Sequence, residues 1–222
     1  MKEVIRFFDC FAGIGGFYCG ANQISSDQYE FRHVAYCEID KNAQRFYDTA
    51  CSSEGIQKIP DVKDIKTKKN PDGIAVVDFD ILFAGFPCQS FSNVGYRKGF
   101  DDPRGQLFFY ILDMLDYYKP KYFVLENVQK IHTIKNGSLL DEMKKALREI
   151  GCGYILHTWN LLASDYGLPQ KRNRIFFCGI RSDLAEERNL SEPPVVDLKK
   201  AKYPTTWHLL EKGKVDSKHY IP

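Results

Sequence analysis

Short apolar runs alternate along this chain with longer stretches in which apolar residues recur at helical spacing. Residues 4–8 and 33–39 read as two strands, residues 57–59 as a short third, residues 80–85 as a fourth and residues 122–125 as a fifth. After Asp40, which is placed to cap a helix, Ala43, Phe46, Tyr47 and Ala50 predict one apolar face. Residues 105–118 carry Leu107, Phe108, Ile111, Leu112 and Leu115 at helical spacing and stop at Pro120. Residues 138–150 predict a further helix, with Ser138 and Asp141 as a capping pair and Gly151 past its end. Residues 154–161 and 174–180 complete the sheet as an antiparallel pair. This alternation predicts an α/β fold built on a mostly parallel, doubly wound sheet.

The pattern weakens after Arg181. Pro193, Pro194 and Pro204 suggest an irregular extension or linker over residues 182–222, beside one domain over residues 1–181. The chain of 222 residues is long enough for a real core, and 44% hydrophobic with 27% charged residues is ordinary for a globular protein. No apolar stretch is long enough to cross a bilayer, and the first residues run straight into a strand rather than a signal peptide. The seven cysteines are scattered and form no CxxC pair, so they read as reduced thiols of a cytosolic protein, with neither a metal site nor a disulfide framework. A formal net charge of +2 is weak for a free-standing nucleic-acid binder.

Chemistry concentrates at strand tips. The first strand leads into Asp9-Cys10-Phe11-Ala12-Gly13-Ile14-Gly15-Gly16-Phe17. Its glycines allow a tight turn and close approach of a ligand, but they read G-x-G-G rather than the G-x-G-x-x-G of a dinucleotide site. That spacing favours a ligand without a pyrophosphate, with Phe11 beside its base. Glu38, at the end of the second strand, is placed to accept hydrogen bonds from two ribose hydroxyls, and Asp64-Ile65 could bond an adenine amino group and pack on its ring.

The fourth strand leads into Gly85-Phe86-Pro87-Cys88-Gln89-Ser90-Phe91-Ser92, where a thiol at a strand tip can face an open crevice. The fifth ends at Glu126-Asn127-Val128. A carboxyl beside Val124, Leu125 and Val128 is expected to be partly desolvated, which favours its protonated form. A neutral acid next to a thiol suits addition across a polarised C=N–C=C system, the acid on the ring nitrogen and the thiolate on the ring carbon. In Gln170-Lys171-Arg172-Asn173-Arg174, the two arginines share one side of an extended segment and can hold a base carbonyl or a phosphate.

Taken in order, these strings together with Asp102-Pro103-Arg104-Gly105 closely resemble the bacterial DNA (cytosine-5)-methyltransferases over residues 4–181. The resemblance implies a Rossmann-like methyltransferase fold, S-adenosylmethionine (SAM) as methyl donor and a cytosine flipped out of double-stranded DNA as acceptor. It implies that Cys88 attacks C6, that Glu126 engages N3, and that Arg174, supported by Arg172, holds the base carbonyl. Phe11, Ala12, Gly13, Ile14, Gly15, Gly16, Glu38, Ile39, Asp64, Ile65, Pro87 and Leu107 are the implied SAM contacts. Residues 90–104 stand where the family has a loop that closes over DNA. A bacterial cytoplasmic location and a role in restriction-modification follow from the same resemblance.

The chain departs from the family pattern in three places. Ile39 stands where many relatives put a larger ring, and Lys63 replaces a glycine usual before the Asp-Ile pair. The family's target-recognition region and last motifs do not follow. The expectation is therefore the catalytic half of a split or truncated enzyme, with a second polypeptide carrying those regions in the split case. A non-catalytic SAM-binding regulatory subunit is the alternative, and a nicotinamide- or flavin-dependent oxidoreductase is disfavoured by the glycine spacing.

Overall fold

The structure, a computed structural model, describes residues 2–51, 55–87, 106–187 and 192–193. Seven strands form one sheet in the order β3-β2-β1-β4-β5-β7-β6. They are β1 (Glu3–Cys10), β2 (Tyr29–Cys37), β3 (Gln57–Ile59), β4 (Ile81–Gly85), β5 (Tyr122–Val128), β6 (Tyr154–Leu162) and β7 (Asn173–Arg181). The first five run parallel. β7 lies antiparallel between β5 and β6, as the sequence predicts for the last pair.

Both faces of the sheet are covered, which is why its central strands are nearly continuous in apolar residues. Neighbouring side chains on a strand point to opposite faces. Phe8, Leu82 and Ala84 thus pack with Ile111 and Leu115 of α3 (Gln106–Tyr118) and with Leu139 and Leu147 of α4 (Ser138–Glu149). Phe7, Ile81 and Phe83 point the other way, toward Ala21 of α1 (Gly16–Ile24), and Tyr36 packs with Tyr47 of α2 (Lys41–Ala50) on that side.

Local chemistry explains most element ends. The Asp40 side chain accepts from the backbone N–H groups of Asn42 and Ala43, as a helix cap should. α4 differs from expectation. Its cap is Gly137 at φ 90°, with no side-chain cap hydrogen bond, and Ser138 is already helical. The backbone turns into that helix through a left-handed residue, so a capping hydroxyl has no place there. α2 buries less than its pattern suggests: Tyr47 is fully buried, while Phe46 is 52% exposed.

At the end of the sheet where β4 and β5 begin, Asp80 ties three strands together. Its Oδ2 accepts the Arg6 backbone N–H at 2.9 Å and the Arg6 Nε–H at 3.0 Å. Its Oδ1 pairs with Lys121 Nζ at 3.0 Å. Residues 182–222 were expected to be irregular. Ser182–Glu187 forms a 3₁₀ helix, and nearly all of the remainder lies outside the described residues.

Candidate active site

The strand register brings the predicted tips to one edge. Cys10 pairs with Cys37, Cys37 with Ile59, and Gly85 with Glu126. Because β7 is antiparallel to β5, its first residues also arrive there, with Arg174 opposite Val128. Ligands of open α/β sheets bind along this kind of edge.

The turn after β1 is shaped by its backbone. Phe11 adopts φ 56°, a left-handed conformation that a bulky residue rarely holds, and Gly13 and Gly15 adopt φ 55° and 90°. Ala12 N–H donates to the Cys37 carbonyl at 3.0 Å, and Gly15 N–H to the Ala12 carbonyl at 2.9 Å. A side chain at Gly15 would stand 2.3 Å from Cys51 Sγ, so only glycine fits there. Above Gly13 and Gly16 the opposite holds: an added Cβ would meet nothing within 4 Å. The turn is pressed against the protein on one side and leaves an open cradle on the other.

Glu38 is fixed by that turn. Its Oε2 accepts the Gly13 N–H at 2.7 Å, and its Oε1 accepts the Asp40 N–H at 2.8 Å. Each oxygen keeps further acceptor capacity, which matches a pair of ribose hydroxyls. Ile14 and Ile39 flank the cradle with apolar side chains that are 64% and 68% exposed. An open glycine cradle, a held carboxylate and two bare apolar side chains suit a nucleoside bearing an apolar base face. Asp64 is exposed, at the end of the 3₁₀ turn Val62–Asp64. Lys63 causes no strain: its φ is not positive, and its N–H donates to the Asp61 side chain at 3.0 Å. Ile65 is deep in the core beside Val62, so protein atoms dominate its surroundings. Leu107 is half-buried against the same core.

At the other end of the edge, Glu126 is 20% exposed and does not sit among apolar groups alone, as the sequence suggested. Its Oε1 lies 2.7 Å from Arg174 Nε and 3.7 Å from an Arg172 terminal nitrogen. The Nε–H is not aligned on that oxygen, so the contact is an ion pair by proximity rather than a directed hydrogen bond. A second Arg174 nitrogen donates to the Asn173 carbonyl at 2.8 Å, which locks the guanidinium in place. The two arginines do share one side of the segment. The antiparallel pairing of β7 with β5 turns them onto Glu126, a contact that local sequence could not reveal.

Three residues without a predicted role also shape the site. Asn127 is buried, and its amide donates to the Phe86 carbonyl at 3.1 Å while its Oδ1 accepts the Val128 N–H at 2.8 Å. Phe17 stacks on Phe83 with centroids 5.0 Å apart, and its Cε2 and Glu126 Oε2 lie 3.7 and 3.8 Å from where a Gly85 Cβ would stand. Asp9 is fully buried beneath the turn. All three fall within the quoted motifs, Asp9 and Asn127 as polar residues near strand tips and Phe17 as an aromatic in the first turn of α1. Pro87 is exposed at the edge. Cys88 and residues 90–104 lie outside the described residues. Among the described residues there is no cluster of side chains fit to hold a metal and no helix long and apolar enough to cross a membrane.

Residues 5–221 match the family model for C-5 cytosine-specific DNA methylase. The chain is 39% identical over 185 residues to the type II methyltransferase M.HhaI of Haemophilus parahaemolyticus, covering 81% of this chain and 50% of that protein. It is 38% identical over 182 residues to the orphan methyltransferase M.Rho11sI of Bacillus phage rho11s, covering 82% and 34%. These and similar relatives are thus matched over about half of their length or less. Among solved structures, a DNMT2 from Spodoptera frugiperda superposes with a TM-score of 0.69 at 22% identity, over 100% of this chain and 63% of that one. A putative DNA modification methyltransferase encoded within an E. coli prophage gives 0.64 at 24%, over 87% and 52%. At those identities the likeness shows the fold.

Proposed function

The chain belongs to the C-5 cytosine-specific DNA methylases, and we propose that it is the catalytic part of an enzyme that methylates C5 of cytosine in double-stranded DNA. The observation that carries this reading is the Glu126–Arg174 pair, with Glu126 opposite Gly85, itself three residues before Cys88 in the chain, on the same sheet edge as the Gly13–Glu38 cradle. A carboxyl beside a guanidinium can engage the N3 and carbonyl edge of a flipped cytosine, while a thiolate reaches the opposite ring carbon.

In this reading the Cys88 thiolate bonds to C6, and the ring electrons move toward C5 and N3. Glu126 hydrogen-bonds or protonates N3, and Arg174 with Arg172 holds the carbonyl oxygen where charge accumulates. SAM supplies the methyl group that C5 takes up. Loss of the C5 proton to water or another base then restores the double bond and expels the thiolate, so the enzyme returns unchanged. Phe11, Ala12, Gly13, Ile14, Gly15, Gly16, Glu38, Ile39, Asp64, Pro87 and Leu107 are the proposed SAM contacts, whereas Ile65 is enclosed by the core. The open cradle and the held Glu38 carboxylate support the assignment.

The relatives extend well beyond the matched segment. We therefore propose that a complementing polypeptide carries target recognition. Residues 1–181 form the proposed catalytic domain, acting in the cytoplasm. The test is a covalent trap. DNA carrying 5-fluorocytosine, SAM and a complementing chain should give an adduct resistant to denaturation with the wild-type protein and none with Cys88→Ser. SAM binding without an adduct for any complementing chain would instead mark a SAM-binding regulatory subunit.

A further inference from the structure

Asp9 closes β1 immediately before the turn, and methyl transfer as described above does not use it. Its Oδ2 accepts the Tyr47 hydroxyl at 3.1 Å, the Tyr18 backbone N–H adds a further interaction, and its Oδ1 has no partner of good geometry. The Tyr47 hydroxyl also lies 3.2 Å from His33 Nε2, which is 3.0 Å from the Ala35 carbonyl. The His33 ring stacks on Phe7 at 4.8 Å, and its Nδ1 has no partner. Tyr36 stacks on Tyr47 at 4.4 Å and donates its hydroxyl to Asp48 at 2.8 Å. A buried polar ladder thus runs beneath the turn.

The groups around this carboxyl come from every packed element. They are Cys10 on β1, Tyr18 on α1, His33 on β2, Glu38 after β2, and Tyr47 and Cys51 on or just after α2. From β4 the neighbour in register is the apolar Phe83. None of them supplies positive charge at neutral pH. Burial pushes the His33 imidazole down to about 4. Burial likewise pushes the Asp9 carboxyl up to about 8, with the Tyr47 hydroxyl pulling the other way and Glu38 adding repulsion.

The residues that seal Asp9 also shape the cradle. Ala12 packs with Tyr36, Tyr47 and Cys51, and Gly15 rests on Cys51 and Tyr47. Asp9 is wholly buried beneath these residues, so hydrating its carboxylate requires this packing to loosen. We propose that Asp9 is a positioning residue for the cofactor turn: its uncharged carboxyl keeps α1 and α2 closed on the turn, and loss of its proton opens the cradle and weakens methyl-donor binding. The inference rests on reading that cradle as the SAM site.

Two measurements test it. The first is SAM affinity by calorimetry from about pH 6 to about pH 9.5. Affinity should hold to about pH 7.5 and then fall, by about ten-fold one pH unit above the break, because only the closed form binds. Asp9→Asn keeps an uncharged side chain of the same shape. Whatever its affinity at pH 7, this variant should lose the break and show only the titration of the ligand's own α-amino group. Tyr47→Phe removes a group that favours the carboxylate, so the break should move to higher pH. The second measurement is thermal unfolding without ligand. The folded carboxyl titrates above its unfolded value, so the stability held by the neutral acid is complete below about pH 4 and is lost as pH rises to about 8. Relative to Asp9→Asn, the wild type should weaken across that window.

A pH-independent affinity, a break that survives Asp9→Asn, or an affinity that rises with pH through an effect absent from Asp9→Asn overturns the proposal. Failure to bind SAM at every pH overturns the cofactor reading and this inference with it. The unfolding profile then still shows whether Asp9 is neutral in the folded protein, which separates the two failures.

Discussion

Asn127 and Phe86 are joined across adjacent strand tips, the Asn127 amide donating to the Phe86 carbonyl at 3.1 Å with the asparagine only 1% exposed. Phe86 is itself buried and stands two residues before Cys88. The bond fixes where the chain leaves β4 relative to Glu126, one residue before Asn127. It therefore couples the position of the proposed nucleophile's segment to that of the proposed acid.

Asn127→Ala should leave the Phe86 carbonyl buried and unsatisfied. The expected cost is about 1–3 kcal/mol of stability, read as a lower urea midpoint. Trapping on 5-fluorocytosine should slow at the same time, while SAM affinity holds. An unchanged midpoint would show that the bond contributes nothing.

Gly15 and Gly16 should respond oppositely to alanine. Gly15→Ala brings a Cβ to 2.3 Å from Cys51 Sγ at φ 90°, and a loss of roughly 2–3 kcal/mol is expected. Gly16→Ala meets nothing within 4 Å at the start of α1, so thermal stability should stay within about 0.5 kcal/mol of wild type. Its SAM affinity should still fall about ten-fold if the empty space is where the donor lies, a loss of about 1.4 kcal/mol.

Arg174 and Glu126 should act as a unit. Arg174→Ala and Glu126→Gln are each expected to reduce the rate of methyl transfer by about 10²-fold, as loss of a group aimed at developing charge does. The double variant should lose much less than the product of the two, with a coupling of about 1–3 kcal/mol. Fully additive losses in single-turnover assays would separate their roles.

Asp80 should make the fold acid-sensitive. Burial alone would raise its carboxyl, but hydrogen bonds and charge from Arg6 and Lys121 outweigh burial and hold it down at about 2. Its contribution is therefore present above about pH 4 and lost as pH falls toward 2, on the order of 2 kcal/mol. Asp80→Asn should lower the unfolding temperature at pH 6 and flatten its fall below pH 4.

Much of the sheet was legible because strands and helices answer to spacing along the chain. The residues 4–8 run and β1, or the residues 122–125 run and β5, differ only at their ends. Those ends were set by tertiary pairing: β5 runs on to Val128 because β7 lies beside it and pairs Arg174 with Val128. The glycine turn and Glu38 were legible because residue type alone restricts what such positions can do. Ser138 reads as a cap in the sequence because a hydroxyl before a helical pattern usually is one. The left-handed Gly137 took the place instead, and sequence does not state φ.

From the sequence alone came the alternation of elements, the glycines that permit the turn, and the motif strings that place the chain in its family. The tertiary structure decided who meets whom: Arg174 on Glu126, Asn127 on Phe86, and Tyr47 on Asp9. Local pattern depends on neighbours in the chain, which the sequence states directly. Contacts between distant residues depend on strand order and register, which are settled only when every face of the sheet is buried at once.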